Sequence, residues 1–217
     1  PVWGDNYQMS PKPMRLTRKD CSTVSLRGYS VLAQTPFGWT NIDLSDYGIT
    51  LYAENDEDVT TLEILTEDKT TGVQAVLFYT VFEKFGAMTR SVKIINNSEN
   101  TVEIEKVMST CVDFHTYDYE MLSLYGRWGK ERSLERRPLA HGKQLVSSKR
   151  GSSSHHQNPF AALVETGTTE DFGNAYGFNL VYSSNFVFEA EVNQNSGTRV
   201  VMGINPENFG WQLKAGD

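Results

Sequence analysis

Strict alternation of apolar and polar side chains is the feature that most constrains this chain. Phe186, Phe188, Ala190 and Val192 alternate with Glu189, Glu191 and Asn193, and a polar turn at 194–198 leads into Val200, Met202 and Ile204. Successive side chains of a strand point to opposite faces, so a period of two specifies a half-buried sheet. The same rhythm sets Val92 and Ile94 against Ser91 and Lys93, and Val102 and Ile104 against Glu103 and Glu105. After Lys106 the phase changes, which predicts a bulge or a bend before Phe114. Gly72–Phe82 is apolar on both faces, as in a strand covered on each side. Shorter strands are predicted at Ile49–Tyr52, Thr60–Leu65, Ala161–Val164 and Tyr176–Tyr182. No amphipathic helix of three turns is visible. Many short strands, with turns such as Asn96–Thr101 between them, predict an all-β antiparallel sandwich or barrel with few helices.

Composition then narrows the function classes. Across 217 residues, 27 acids against 20 Lys and Arg give a net charge of −7, which disfavours a broad nucleic-acid surface. The longest apolar run, Ala75–Tyr79, is far shorter than the roughly 20 residues of a membrane-spanning helix. No membrane or nucleic-acid partner is expected. Cys21 and Cys111 lie far apart without metal-site spacing and read as reduced, structural thiols.

One stretch interrupts the rhythm. Asp118–Asn158 shows little period-2 order and is expected to be irregular. It gathers Arg127, Lys130, Arg132, Arg136, Arg137, Lys143, Lys149 and Arg150, with three of the four histidines. Loops held on a rigid sheet are where function concentrates, so this segment is where functional residues are expected. Paired carboxylates would be needed for glycoside hydrolysis, and Asp113, Asp118, Glu131, Glu135 and Glu165 are available. Nothing in their spacing makes two converge, and pairing with Arg132, Arg136 and Arg137 explains the glutamates more simply. His155 and His156 lack a further ligand motif, and side by side in an extended chain they should face apart, so no metal site is expected. No GxSxG elbow, GxGxxG loop or P-loop is present. Trp128, set between Gly126 and Gly129, could stack on a sugar ring, and Trp3, Trp39 and Trp211 read equally as core or interface anchors. Weak substrate-binding candidates are therefore Trp128, His155, Gln157 and Asn158. Candidate interface residues are Arg127, Trp128, Arg132, Arg136 and Arg137, because arginine and aromatics are favoured at such contacts.

The run WGKERSLERRPLAHGKQLVSSKRGSSSHHQNPFAAL at Trp128–Leu163 resembles the N-terminal domain of glycoside hydrolase family 36 α-galactosidases. YGFNLVYSSNF at Tyr176–Phe186, GINPENFGWQL at Gly203–Leu213, FYTVFEKFGAMTR at Phe78–Arg90 and PVWG at Pro1–Gly4 extend the likeness in order. The resemblance implies an antiparallel β-supersandwich of the galactose-mutarotase-like kind, with residues 1–217 as one domain cut from a longer enzyme. It implies a (β/α)₈ barrel downstream, carrying the two catalytic aspartates of a retaining hydrolase acting on melibiose- or raffinose-type galactosides. By that reading no catalytic residue lies in this segment and no cofactor is needed. The partners implied are the chain's own barrel, further copies in a homo-oligomer and a galactoside, in a cytoplasmic, bacterial-type protein. Two alternatives stay open: a freestanding carbohydrate-binding module, and an aldose-epimerase-like enzyme using a His–acid pair on neighbouring strands.

Overall fold

The computed structural model describes residues 30–35, 38–43, 49–56, 59–69 and 71–217, with side chains from residue 61 onward except 70 and 83. The Pro1–Gly4 stretch, Trp3 and Cys21 lie outside the described residues, as does the side chain of Trp39.

In chain order the strands are β1 (Ser30–Thr35), β2 (Gly38–Asp43), β3 (Ile49–Asp56), β4 (Val59–Asp68), β5 (Val73–Phe82), β6 (Ala87–Asn96), β7 (Val102–Ile104) and β8 (Met108–Phe114). They continue as β9 (Tyr119–Arg127), β10 (Lys130–Pro138), β11 (Gly142–Ser148), β12 (Gln157–Glu165), β13 (Ala175–Asn179), β14 (Phe186–Val192), β15 (Thr198–Ile204) and β16 (Trp211–Leu213). The helical element among the described residues is a 3₁₀ turn at Glu83–Phe85. The all-β antiparallel class expected from the alternation holds.

The described residues divide into two compact units, one of those up to Val107 together with Gly210–Asp217, the other Met108–Phe209. The first contains the sheets β16-β7-β1-β2 and β3-β4-β5-β6. In the second of these, Leu62, Ile64 and Leu77 form a buried cluster, with Tyr79 and Val92 packed beside them. Asn96, fully buried at the end of β6, ties the sheets together. Its Nδ2 donates to the Asn100 and Leu213 carbonyls at 2.7 and 3.0 Å, and its Oδ1 accepts from the Ser98 N–H and Oγ.

The second unit is a two-layer sandwich of sheets β10-β9-β12-β13 and β11-β14-β15-β8. Tyr119, Met121, Ala161 and Leu163 from one layer meet Val146, Phe186, Phe188, Ala190, Val192, Val200 and Met202 from the other in one core. The alternation of β14 explains its place: Phe186, Phe188 and Ala190 are fully buried. On the opposite face of that sheet, Lys143, Glu191, Arg199 and Asp113 stand in one cross-strand row of alternating charge. Arg199 holds Asp113 with two bonds of 2.6 and 2.7 Å.

Several expectations need correction. Asp118–Asn158 is mostly strand, supplying β9, β10 and β11. Its period was hidden for two reasons. Tyr119 and Met121 face the core while Leu122 and Leu124 line the other face, so β9 is apolar on both sides. β10 is an edge strand, mostly exposed and therefore free to be polar throughout. The phase change after Lys106 falls at a break between strands, and β8 then opens with a register irregularity in which Met108 and Thr110 face the adjacent Gly203 and Met202. β7 and β8 end and begin there and join different sheets. The strand expected to Tyr182 stops at Asn179. Cys111 is a half-buried thiol on β8.

Candidate functional site

The structure brings Arg127, Trp128, Arg132, His155, Gln157 and Asn158 towards one end of the sandwich unit, while Arg136 and Arg137 sit farther along β10. β9 and β10 form a hairpin in which Arg127 pairs with Lys130, leaving Trp128 and Gly129 at the tip. Gly129 adopts φ 73°, the left-handed conformation such a tip requires, and its N–H donates to Glu131 Oε1 at 2.7 Å. Register slips between Lys130 and Ser133, where Arg132 itself sits at φ 54°. The outcome is a Trp128 side chain 85% exposed, flanked by the exposed Arg127 and Arg132.

Against this hairpin lies the turn that carries the paired histidines. The Gly126 N–H donates to the His156 carbonyl at 3.3 Å, and Tyr125 registers with Gln157. A Cβ on Gly126 would run into the Lys130 carbonyl oxygen and approach Glu131 Cα to 2.9 Å and the His155 carbonyl to 3.1 Å. Backbone on three sides cannot yield as a side-chain end can. Gly126→Ala should therefore destabilise the protein by about 2 kcal/mol, the ordinary scale of overpacking. A chemical-denaturation midpoint unchanged by the substitution would refute that reading.

His155 and His156 do not face apart. Because Ser154–Gln157 is a tight turn closed by a Ser154–Gln157 bridge, the two rings stack at 4.6 Å with 26° between planes. His156 Nδ1 lies 3.3 Å from Ser154 Oγ. Desolvation first, then electrostatic interaction with Arg150 and His155, push its pKa below the ordinary imidazole value, which favours the neutral ring. Beside it, Gln157 Oε1 accepts the Ser147 N–H at 2.9 Å. β11 is an edge strand, so the amide of Gln157 caps an otherwise open edge and bridges the two layers. Ser147, Ser148, Arg150, His156 and Gln157 line an open recess of about 340 Å³. Gln157 and His155 stand out in the sequence, but the turn that carries the paired histidines does not. Ser147, Ser148 and Arg150 were not singled out, because only the sandwich brings the end of β11 to the start of β12. Asn158 is next along β12, and its Nδ2 is buried without a hydrogen-bond partner.

The remaining candidates are committed within the unit. Arg136 bonds Glu120 through Nε at 2.8 Å and also through Nη2, while its Nη1 donates to the Thr168 carbonyl at 2.7 Å. That guanidinium fastens the loop after β12 to the sheet. Arg137 pairs with Glu135 at 3.4 Å. The five candidate carboxylates likewise have separate partners: Asp113 with Arg199, Asp118 with Thr116, Glu131 with the Gly129 N–H, Glu135 with Arg137, and Glu165 with Asn174. No two of them share a hydrogen-bond or ion-pair partner, although Asp118 and Glu165 both lie within electrostatic range of the Tyr119 hydroxyl, whose pKa is raised by burial first and then by Tyr176, Glu165 and Asp118.

The family model described as the glycosyl hydrolase family 36 N-terminal domain matches residues 19–214. The chain belongs to this family. AgaA from Geobacillus stearothermophilus, an α-galactosidase, is 45% identical over 166 residues, covering 76% of this chain and 23% of that protein. Alpha-galactosidase 1 from Pediococcus pentosaceus is 43% identical over 165 residues, covering 76% of this chain and 22% of that protein. The crystal structure of AgaA superposes with TM-score 0.80 at 40% identity, covering 88% of this chain and 29% of that one. A variant of AgaA solved with raffinose gives TM-score 0.79 at 38% identity, over 88% of this chain and 29% of that one. The chain thus spans about a quarter of the length of the relatives it matches.

Within this family 36 domain the geometry separates two surfaces. One is the Trp128 hairpin tip, projecting and cationic. The other is the polar recess beneath it, which has hydrogen-bond donors but none of the five candidate carboxylates among its lining residues. The recess can hold a polar group, but it offers no acid and nucleophile to break a glycosidic bond.

Proposed function

We propose that this chain is the non-catalytic N-terminal β-supersandwich domain of a retaining α-galactosidase, which removes terminal α-galactosyl residues from galactosides such as raffinose or melibiose. Both described units belong to that one domain, and the two catalytic carboxylates are carried by a barrel domain elsewhere in the longer protein. One observation carries the reading: identity of 45% to an α-galactosidase over 76% of the chain, coupled with carboxylates that are each engaged separately. The domain supports the barrel and takes part in oligomer assembly, in a cytoplasmic enzyme. A freestanding sugar-binding module is the second reading, favoured only by the exposed Trp128. The epimerase-like alternative loses ground, because among the described residues no histidine lies within ion-pair distance of a carboxylate.

The test is an assay pair with p-nitrophenyl α-galactoside. The full-length protein should release galactose and the isolated 217-residue chain should not. Hydrolysis by the isolated chain would end the supporting role, and tight galactose binding by calorimetry would favour the binding module. For assembly, replacing Arg127, Trp128 and Arg132 together with alanine should lower the mass of the full-length protein in light scattering. The circular dichroism spectrum should stay as it was. An unchanged mass counts against the hairpin as the contact.

A further inference from the structure

The recess beneath the Trp128 hairpin has an unusual inventory. Ser148 Oγ is used by the Ser152 carbonyl at 2.7 Å, and Gln157 Oε1 is used by the Ser147 N–H. Gln157 Nε2, the Ser147 hydroxyl and one ring nitrogen of His156 are left as neutral hydrogen-bonding groups on the lining. Arg150 has no acidic partner among the described residues, whereas the neighbouring Lys149 is paired with Glu207. The backbone around Arg150 is held from outside its own turn. The Gly151 N–H donates to Asn185 Oδ1 at 2.7 Å, Ser184 Oγ donates to the Gly151 carbonyl at 3.1 Å, and the Ser153 N–H donates to the Ser183 carbonyl at 3.0 Å. The guanidinium therefore stands on a segment braced before any ligand arrives, which lowers the ordering cost of binding.

We propose that this recess is a carboxylate site, with the Arg150 guanidinium as its charge and Gln157 Nε2, Ser147 Oγ and His156 as neutral partners. The inventory selects among ligands. A cation is repelled by Arg150. A phosphate, with close to two charges at neutral pH, finds only one formal positive charge to meet it. A neutral sugar finds no phenyl or indole platform on the lining, whose one aromatic ring, His156, has a face stacked on His155. A planar monoanion matches the guanidinium fork, which binds carboxylates through two parallel bonds. The carboxylate can come from a small organic acid or from an acidic side chain on a docked protein surface.

Arginine-selective modification with phenylglyoxal, read by peptide mass spectrometry on the intact protein, distinguishes these sources. If the source is a free acid, Arg150 reacts in chloride. Sodium acetate or galacturonate at about 20 mM then slows it about fivefold at matched ionic strength, as a dissociation constant of about 5 mM requires. The exposed Arg127 and Arg132 keep their rates. If the source is a docked surface, Arg150 is already protected, and about 1 M chloride, where the Debye length falls to about 3 Å, exposes it. Reactivity that neither acid slows, protection that survives high chloride, or stronger protection by phosphate than by acetate overturns the proposal. Galactoside hydrolysis enters none of these readouts, so this site can fail while the proposed role of the domain stands.

Discussion

Replacing Asn96 with alanine should lower the unfolding free energy by about 3 kcal/mol, one of the two largest effects expected from a single substitution here. The side chain has two amide hydrogens and a carbonyl oxygen with two lone pairs, and all four bonding positions are filled. Its main chain is equally engaged: the N–H donates to the Asp217 carbonyl at 2.7 Å, and its carbonyl accepts from Gly216 at 2.8 Å. Alanine removes the side-chain bonds and leaves the Leu213 carbonyl and the Ser98 N–H without that partner, while the Asn100 carbonyl keeps the bond from Ser98 Oγ. Each group stranded away from water costs about 1–3 kcal/mol, more than a typical intact bond contributes. Asn96→Asp gives a sharper comparison. The shape is kept, yet the carboxylate cannot donate and would turn an oxygen towards the two carbonyls, so it should be at least as damaging as alanine. Urea unfolding measures the loss, and hydrogen exchange should show it concentrated around β6, β7 and β16. A loss below about 1 kcal/mol for both variants would mean that solvent replaces Asn96 readily.

The second large effect belongs to the sandwich unit. Phe188→Ala should cost about 3–5 kcal/mol, since truncating a buried aromatic loses its transfer free energy and leaves a cavity. Phe188 is fully buried, its ring 5.6 Å from that of Phe178, in the core that both layers share. Phe188→Leu, which keeps most of the volume, should cost about 1.5 kcal/mol or less. Leu145→Ala on the outer face of the same sheet should stay within about 0.5 kcal/mol, because that side chain is 53% exposed. Denaturation midpoints for the three variants decide the matter. A Phe188→Ala cost no greater than that of Leu145→Ala would mean that the two layers do not depend on this contact.

How much of the fold was readable from sequence depended on asymmetry between strand faces. β14 was legible because its two faces differ so sharply: Phe186, Phe188 and Ala190 go to the core, while Glu189 and Glu191 go to solvent and to Lys143. β9 and β10 were missed because neither shows that contrast, one being apolar on both faces and the other an exposed edge. The candidate site was legible in part for the same reason. Trp128 and Gln157 stand out as residue types, and the hairpin and histidine turn do carry them. The stacking of His155 on His156 had no signal, because adjacency along the chain says nothing until the turn geometry is known. Arg136 read as a surface charge available to a partner, and in the fold it is occupied by Glu120 and the Thr168 carbonyl.

The sequence by itself determined the all-β antiparallel class, the identity of the most regular strands, and kinship with the family 36 domains. These follow from local alternation and from long runs of matched residues, both of which are written along the chain. Only the tertiary structure decided which charges are spent and which remain. Asp113 meets Arg199 across 86 residues of separation, and Gln157 reaches Ser147 by capping an open sheet edge. Such pairings depend on which strands lie side by side. Strand order is set by the packing of whole layers, and no local pattern encodes it.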